Sequence, residues 1–311
     1  MSLSKSPPVL SLSNGLSASK PLPAVLALTV NAFIWGSSWW AFRRLQLHGL
    51  HPLWTTVIVY ALAVLVIAVL RPRAFAQLLR TPALWLLVLA SGVTNAAFNW
   101  GVVIGDVVRV VLLFYLMPLW SVLFARLLLD EPLSRAAGLR VVMALSGAAI
   151  VLWPEGANGT LPLPRALPDW LGLIGGLSFA LNNVMLRREA GRPEEGRALA
   201  MFAGGVLVAG GLALALASQA ELPWPPAPAP QWLVMAGVLA LVFIVSNVAL
   251  QFGASRLPAH VTSVVMLSEV LFASVSAVLW GDGRLTAPLL AGGTLIVAAA
   301  VLAAAGARSA H

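Results

Sequence analysis

Residues 82–104 read PALWLLVLASGVTNAAFNWGVVI, a run of 23 residues without a charged side chain. An α-helix needs roughly 20 apolar residues to cross the hydrocarbon core of a bilayer, which is about 30 Å thick. Only helices and closed β-barrels satisfy their backbone polar groups there, and this run is too long and too continuous for a barrel strand. The run therefore predicts one membrane-spanning helix.

Nine further runs of similar length and composition fill most of the remaining chain. The segments between the runs are too short to hold a globular domain. The sequence therefore predicts an all-α integral membrane protein built from ten transmembrane helices. The predicted spans are 22–42, 52–70, 82–104, 107–129, 135–153, 168–188, 196–217, 232–253, 259–280 and 286–306.

The composition agrees with residence in a membrane. Of the 311 residues, 60% are hydrophobic and 10% are charged, and the mean hydropathy is +0.92. A soluble domain carries roughly 25% charged residues. The net charge of +8 comes from basic residues scattered between apolar runs, a pattern that reports topology and argues against a nucleic-acid partner. Because there is no cysteine, disulfides, thiolate metal sites and cysteine nucleophiles are excluded.

The basic residues also predict the orientation of the chain. With the N-terminus inside, thirteen Lys and Arg residues fall in inner segments and five in outer ones. By the positive-inside rule, both termini are expected in the cytoplasm and the protein in the inner (plasma) membrane. Residues 1–20, which are rich in Ser, are expected to form a disordered cytoplasmic tail, and residues 307–311 a second one.

The two halves of the chain repeat each other weakly at a shift of 152 residues. The third to fifth spans then align with the eighth to tenth without a gap, and 12 of the 71 pairs between 83–153 and 235–305 are identical. The polar matches carry more weight than this count, because amides are costly inside a membrane. A shift near 144 sets WGSSW (35–39) beside FALNN (179–183).

After five spans the chain has reached the opposite side of the membrane, because five is an odd number. A second repeat of five spans therefore crosses the membrane in the opposite direction to the first. The predicted organisation is a first five-helix repeat at 21–153, a periplasmic linker at 154–167 and an inverted second repeat at 168–306. Inverted repeats are typical of secondary transporters, whose substrate site lies near the middle of the membrane where the repeats meet.

Two matching segments carry a family resemblance. LLFYLMPLW (112–120) is followed by DEPLS (130–134), and VVMLSEV (264–270) is followed by GDGRLT (281–286). With its ten spans in two halves, the chain resembles the drug/metabolite transporter (DMT) superfamily, specifically its EamA-type ten-helix members. Within these it is most similar to the YddG-type exporters of aromatic and other hydrophobic amino acids. The resemblance implies a transporter with a central cavity between the halves.

Four amides are candidates for substrate binding. Asn95 and Asn99 lie four residues apart on one helix face, and the aligned Asn247 and Gln251 do the same. Amides at matching depths can hydrogen-bond the ammonium and carboxylate groups of an amino acid. The alternative is that they bridge neighbouring helices, as Asn and Gln commonly do in membranes.

Further candidates combine aromatic rings with amides at similar depth. Indole and phenol rings offer flat apolar contact and one hydrogen-bond donor, which suits an aromatic or bulky apolar solute. The alternative for a tryptophan is an anchor at the membrane interface, the role expected of most of the twelve in this chain. The additional binding candidates are Trp35, Trp39, Trp100, Tyr115, Asn182 and Asn183.

Three residues are candidates for coupling or gating. Glu269 is the only acidic residue deep inside a predicted span, and a carboxylate there indicates function, either proton coupling or contact with a substrate ammonium. The alternative is a protonated acid bonded to Ser268 or to a neighbouring backbone. His260 could assist proton movement, and Pro118 is expected to kink the fourth span and so to serve as a hinge.

The function that follows is export of aromatic and other hydrophobic amino acids by alternating access. Other metabolites or drugs of the same superfamily are an alternative substrate class. An intramembrane enzyme is a competing class, but no span supplies His-Glu-x-x-His, a Ser–His dyad or paired Asp residues. No Gly-x-x-x-x-Gly-Lys-Ser/Thr loop occurs, so ATP is not the direct energy source. No cofactor is predicted, and the chain is expected to act as a monomer in the lipid bilayer.

Overall fold

The computed structural model describes residues 21–129, 135–152, 163–254, 265–266, 268–281 and 285–306. The first-half helices are α1 (Pro21–Leu47), α2 (Pro52–Leu70), α3 (Arg73–Arg80), α4 (Pro82–Ile104), α5 (Val107–Phe114), α6 (Met117–Leu129) and α7 (Arg135–Leu152). The second-half helices are α8 (Leu167–Arg188), α9 (Glu194–Ser218), α10 (Pro230–Ala254), α11 (Ser268–Trp280) and α12 (Ala287–Gly306). No strand occurs among these described residues. The predicted tails and most of the predicted linker lie outside them.

Two elements differ from the helices that the sequence predicts. The fourth predicted span, 107–129, is divided into α5 and α6, with Tyr115 and Leu116 between them. The short helix α3 was not predicted, because it has only two apolar turns and three Arg or Gln side chains. Its Ala74 and Leu78 are buried, and this pattern of one apolar and one basic face is typical of a helix that lies in the membrane interface.

The division of the fourth span has a local backbone cause. Pro118 has no backbone N–H, so it cannot donate to the carbonyl of Phe114 as a continuous helix would require. The Leu116 N–H instead reaches the carbonyl of Leu113 at 3.2 Å, a tighter turn, and the Leu119 N–H bonds the carbonyl of Leu116 at 3.0 Å. The predicted hinge therefore lies at a break between two helices.

Within the described residues, six helical segments are long and apolar enough to cross a membrane: Leu22–Leu47, Pro52–Leu70, Pro82–Ile104, Val107–Leu128, Glu194–Ser218 and Pro230–Gly253. On α10, large apolar side chains are exposed at intervals of three and four residues, from Val234 through Val238, Leu241 and Val245 to Val248. An apolar stripe of this length on the outside of a bundle fits contact with lipid tails.

Glycines allow several of these helices to touch backbone to backbone. A Cβ on Gly176 of α8 would overlap the carbonyl oxygen of Phe114 in α5, and a Cβ on Gly172 would lie 2.9 Å from the carbonyl oxygen of Val110. On α7, a Cβ at Gly147 would lie 2.6 Å from the carbonyl oxygen of Gly292 in α12. Small residues at such crossings replace side-chain bulk with close packing of backbones, the usual way in which membrane helices associate.

Antiparallel pairs connect the first half to the second. Helix α1 packs antiparallel to α10, since Leu28 lies at Gly253 while Asn31 bonds Ser246. Helix α4 packs antiparallel to α8. A Cβ on Gly101 would lie 3.2 Å from Leu171. A Cβ on Gly175, which is later on α8, would lie 3.6 Å from the backbone of Phe98, which is earlier on α4. Helices α2 and α9 are antiparallel as well, because Gly205 lies at Tyr60 whereas Gly210, later on α9, lies at Val57, earlier on α2.

Two further pairs between the halves are parallel. Along α1 and α11, Gly36 lies at Phe272, and Trp39 lies one turn later at Ser276. Along α5 and α8, Val110 lies at Gly172 and Phe114 at Gly176. The two halves therefore interlock, with α1 and α8 each held between a parallel and an antiparallel helix of the other half.

Candidate functional site

A cavity lies between the two halves of the bundle. Its volume is about 80 Å³. The seventeen residues of its wall come from helices α1, α2, α4, α5, α8, α9, α10 and α11 and from the described residue Met266 just before α11. The wall consists of Asn31, Trp35, Tyr60, Ser91, Thr94, Asn95, Phe98, Phe114, Phe179, Asn182, Met201, Phe202, Phe243, Asn247, Leu250, Met266 and Glu269.

Aromatic rings form much of this wall and contact one another across the halves. The Trp35 ring stacks on Phe243 with 4.9 Å between centroids and an interplanar angle of 15°. Phe114 packs on Phe98 at 4.8 Å and on Phe179 at 5.2 Å. The resulting surface is flat, apolar and built from both halves, which suits a ring-bearing or bulky apolar solute.

Hydrogen bonds hold two of the wall amides, Asn95 at both its oxygen and its nitrogen and Asn31 at its nitrogen. Asn95 accepts from the Tyr60 hydroxyl at 2.5 Å and donates to the carbonyl of Ser91 at 2.8 Å. Asn31 of α1 donates through Nδ2 to Ser246 of α10, at 2.9 Å to the carbonyl and 2.6 Å to Oγ. These bonds fix the amides in place, so the wall has a defined polar pattern within an apolar surface.

Glu269 sits in the wall at the start of α11 and is only 6% exposed. The Tyr115 hydroxyl, at the break between α5 and α6, donates to Glu269 Oε2 at 2.9 Å and lies 3.1 Å from the carbonyl of Met266. The break thus positions a hydroxyl from the first half against the acidic side chain of the second. Rearrangement of the break would change the hydrogen bonding of Glu269.

Five of the side chains predicted to bind substrate lie in the wall: Trp35, Asn95, Asn182, Asn247 and Glu269. Tyr115 lies just behind them and contacts the cavity through Glu269. Gln251 also supports the wall from behind, because its Nε2 donates to Asn247 Oδ1 at 2.7 Å. Asn183 accepts from Asn182 Nδ2 at 3.4 Å and takes the same supporting position.

The other predicted binding residues pack helices together outside the wall. The indole N–H of Trp39 donates to Ser276 Oγ of α11 at 2.8 Å. Asn99 donates to Thr56 Oγ1 of α2 at 3.1 Å, which is the interhelical role considered as the alternative for these amides. Trp100 packs against the imidazole of His51, with 5.3 Å between ring centroids.

The two remaining predictions concern gating and proton movement. Pro118 is the second residue of α6, directly after the break. His260 lies outside the described residues.

Most of the aromatic wall escaped sequence reasoning. Phe98, Phe114, Phe179, Phe202 and Phe243 lie in apolar runs where nothing local separates a ring facing the cavity from one facing lipid. The alignment of the two halves could have identified one of these rings. Phe179 aligns with Trp35 at the shift of 144, so one wall residue in the first half points to another in the second.

An ion pair closes the bundle beyond one end of the cavity. Arg109 of α5 bonds Asp169 of α8 at two points, Nε to Oδ1 at 2.7 Å and Nη2 to Oδ2 at 3.1 Å. Its third nitrogen, Nη1, lies 2.5 Å from the carbonyl of Val151 in α7. Asp169 precedes the wall residue Phe179 by ten residues, or about 15 Å of helix rise. The pair therefore joins three helices at a distance from the binding surface.

A second arginine stabilises the same end of the bundle. Arg43 of α1 donates to the carbonyls at the end of α4, at 3.3 Å to Val102, 3.2 Å to Val103 and 2.7 Å to Gly105. These carbonyls have no partner within their own helix, and a cation there also complements the helix dipole. The ends of α1 and α4 are thereby fixed to each other.

His51 caps the start of α2 at this end. Its Nδ1 accepts from the backbone N–H of Leu53 at 3.2 Å. Burial lowers the pKa of the imidazole from 6.5 to about 4, so the ring is neutral at physiological pH. A neutral ring keeps Nδ1 free to accept, which the cap requires.

Comparison with known protein families gives a match to the first part of the chain. The sequence model of the EamA-like transporter family matches residues 22–153, so the first half of the chain contains an EamA-like transporter domain. This family consists of membrane transporters, which agrees with the apolar helices described above.

The remaining comparisons concern the whole chain. The crystal structure of another protein is similar over 93% of this chain and 98% of that protein's chain, at 20% sequence identity and with a TM-score of 0.57. That likeness shows a fold shared by the two proteins over most of this chain. No curated protein sequence matches the chain.

Proposed function

We propose that this protein exports aromatic and other hydrophobic amino acids by alternating access through the cavity between its halves. The observation that carries the proposal is the cavity wall, in which aromatic rings from both halves surround a few fixed amides and one acidic side chain. The match of residues 22–153 to a family of transporters supports the class. A wall of this chemistry fits a solute with an apolar ring and a polar head.

We also propose that the two halves are inverted repeats, and the helix directions support this arrangement. Counterparts are α1 and α8, α2 and α9, α4 and α10, α5 with α6 and α11, and α7 and α12. Exchanging the halves turns the antiparallel pair α1–α10 into α8–α4, also antiparallel. It turns the parallel pair α1–α11 into α8–α5, also parallel. In the proposed topology α1 and α4 are the first and third spans and therefore run in the same direction. Because α10 is antiparallel to α1, it also runs opposite to its counterpart α4.

The wall itself follows the same exchange. Ten of its seventeen residues form five pairs related by the sequence shifts of 152 and 144: Ser91 with Phe243, Asn95 with Asn247, Phe98 with Leu250, Phe114 with Met266, and Trp35 with Phe179. A site shared by inverted repeats can be approached from either side of the membrane, which alternating access requires. Glu269 has no acidic counterpart, because Met117 occupies the aligned position.

The orientation and the moving parts belong to the same proposal. The protein crosses the inner membrane ten times with both termini in the cytoplasm, with its repeats at 21–153 and 168–306. The Arg109–Asp169 ion pair then closes the outer side, and the break before Pro118 lets α6 move relative to α5. Glu269 couples transport to protons, with His260 on the inner side assisting proton transfer.

A flux panel tests the proposal. The purified protein is reconstituted in liposomes, and uptake of radiolabelled tryptophan, leucine and glutamate is measured with and without a pH gradient. Tryptophan and leucine flux well above that of empty liposomes is expected, with little glutamate flux, since a charged side chain has no partner among the apolar rings. Flux of none of the three, or flux of glutamate alone, would contradict the proposal.

A further inference from the structure

Two buried amide oxygens in the cavity wall have no hydrogen-bond partner among the described residues. They are Asn31 Oδ1 and Asn182 Oδ1, on side chains that are each only 1% exposed. The orientation of the Asn31 amide is fixed, because its Nδ2 donates to the Ser246 carbonyl, which can only accept. An acceptor left unpaired in an apolar bundle costs free energy unless a ligand or a water molecule donates to it.

The acidic group in the wall, when ionised, is negative, and the two amide oxygens also carry a partial negative charge. Among the seventeen described residues of the wall, Glu269 alone carries a carboxyl group, and none is Lys, Arg or His. Arg109 lies outside the wall and is already engaged by Asp169 at the end of the bundle. The described part of the wall therefore combines two free carbonyl acceptors and an acidic group, with no cation among these residues.

This pattern is complementary to an ammonium group. A protonated amine carries three donors and a positive charge, so it can bond amide oxygens and a carboxylate together. A carboxylate in the same place would meet only neutral amide and hydroxyl donors and would be repelled by an ionised Glu269. Burying a solute carboxylate in a low-dielectric cavity without a cation beside it is costly.

We infer that the cavity recognises its solute by the protonated amine, and that the solute's carboxylate contributes little. The inference rests on the proposed function, since it names the head group that the transport site selects. The substrate class is accordingly wider than amino acids and includes arylalkylamines that lack a carboxylate. Tyr115 competes for the same acid, because its hydroxyl already donates to Glu269 Oε2 at 2.9 Å.

Three indole compounds separate the two head groups. Tryptamine has the ammonium alone, tryptophan has both groups, and indole-3-propionate has the carboxylate alone. Binding of radiolabelled tryptamine to the purified full chain is measured by equilibrium dialysis at a pH of about 7.5, with each compound as competitor. Tryptamine and tryptophan are expected to compete within a few-fold of each other, and indole-3-propionate at least about tenfold more weakly. Equal competition by all three, or no binding of tryptamine, overturns the inference.

Two variants test the role of the acid. Glu269→Gln keeps the shape and removes the charge, and it is expected to weaken tryptamine binding roughly ten- to a hundredfold. Tyr115→Phe removes the competing hydroxyl and is expected to bind tryptamine as tightly as the wild type or more tightly. If Glu269→Gln binds normally, the inference is overturned. The competition series in the wild type does not depend on the folding of either variant.

The outcomes also separate this inference from the proposed function. Tryptophan flux in liposomes together with strong competition by indole-3-propionate would leave the transporter in place and remove the ammonium site. Tight tryptamine binding with no flux of any indole compound would retain the ammonium site and remove the transporter.

Discussion

The Arg109 guanidinium and the Asp169 carboxylate form a two-point ion pair that joins the first half of the bundle to the second. Asp169 is only 4% exposed, and the third nitrogen of Arg109 engages the end of α7. An ion pair in this setting holds α5, α7 and α8 in one arrangement, and breaking it leaves a buried carboxylate without its cation. In the alternating-access mechanism proposed above, this contact would hold the outer side closed.

Loss of this ion pair is expected to expose the cavity to the outer side. The chain has no cysteine, so a single Thr94→Cys variant reports access to the cavity wall. Adding Arg109→Gln should increase the rate at which a membrane-impermeant maleimide labels the introduced thiol from outside. Arg165→Gln, on an exposed neighbouring arginine, is the matched control and should leave the rate unchanged. The exchange Arg109→Asp with Asp169→Arg should restore slow labelling, and equal rates in all variants would remove the gating role.

Opposite insertion of the two halves can be read from two loops. His48 lies in the exposed turn between α1 and α2, and Gly191 in the exposed turn between their counterparts α8 and α9. In whole cells, His48→Cys should be labelled by an impermeant maleimide, and Gly191→Cys only after the membrane is permeabilised. No described atom lies within 4 Å of a Cβ at Gly191, so a side chain fits there. Labelling of both cysteines from the same side would contradict inverted repeats.

Removal of the Trp35 ring should reduce flux selectively. Trp35 stacks on Phe243 across the halves, and a ring contact of this kind contributes about 0.5–1.5 kcal/mol. Trp35→Ala is therefore expected to lower tryptophan flux roughly two- to tenfold while changing alanine flux less. Phe33→Ala, which changes a half-exposed ring on the same helix, is the control and should have little effect. Equal losses for tryptophan and alanine would indicate a folding defect.

Proton coupling is expected to depend on Glu269. In liposomes with a pH gradient, Glu269→Gln should carry solute at a rate that no longer responds to the gradient, because the amide cannot take up a proton. Glu221→Gln, at an exposed position beyond α9, should respond like the wild type. A gradient response that survives Glu269→Gln would assign the coupling elsewhere.

The His51 cap predicts a dependence of stability on pH. In the folded protein its pKa is lowered to about 4, whereas in the unfolded chain it is near 6.5. Between these values the unfolded chain binds more protons, so stability should fall as pH drops from 6.5 towards 4. His51→Asn keeps a side-chain acceptor for the helix end but does not titrate. Its thermal midpoint in detergent should fall less over this range, and identical profiles would remove His51 as a cause.

The sequence predicted the helices well because the signal for a membrane span is local. An uncharged run such as 52–70 must form its backbone hydrogen bonds within itself, and α2 has these same bounds. The division at Tyr115 was foreseen only as a kink at Pro118, since one missing N–H decides neither the size nor the sharpness of the bend. Helix α3 was missed because a short amphipathic segment lacks the length on which the prediction of spans depends.

The sequence by itself determined that this chain lives in a bilayer, where most of its helices begin and end, and that amides and one acid lie deep within them. Only the tertiary structure decided which side chains share the cavity. Trp35 enters the wall, whereas Trp39, one turn further on, bonds Ser276 between two helices. The reason is physical: lipid tails and the interior of the bundle are both apolar, so hydrophobic periodicity does not tell one face of a helix from the other. That choice is made by the packing of neighbouring helices.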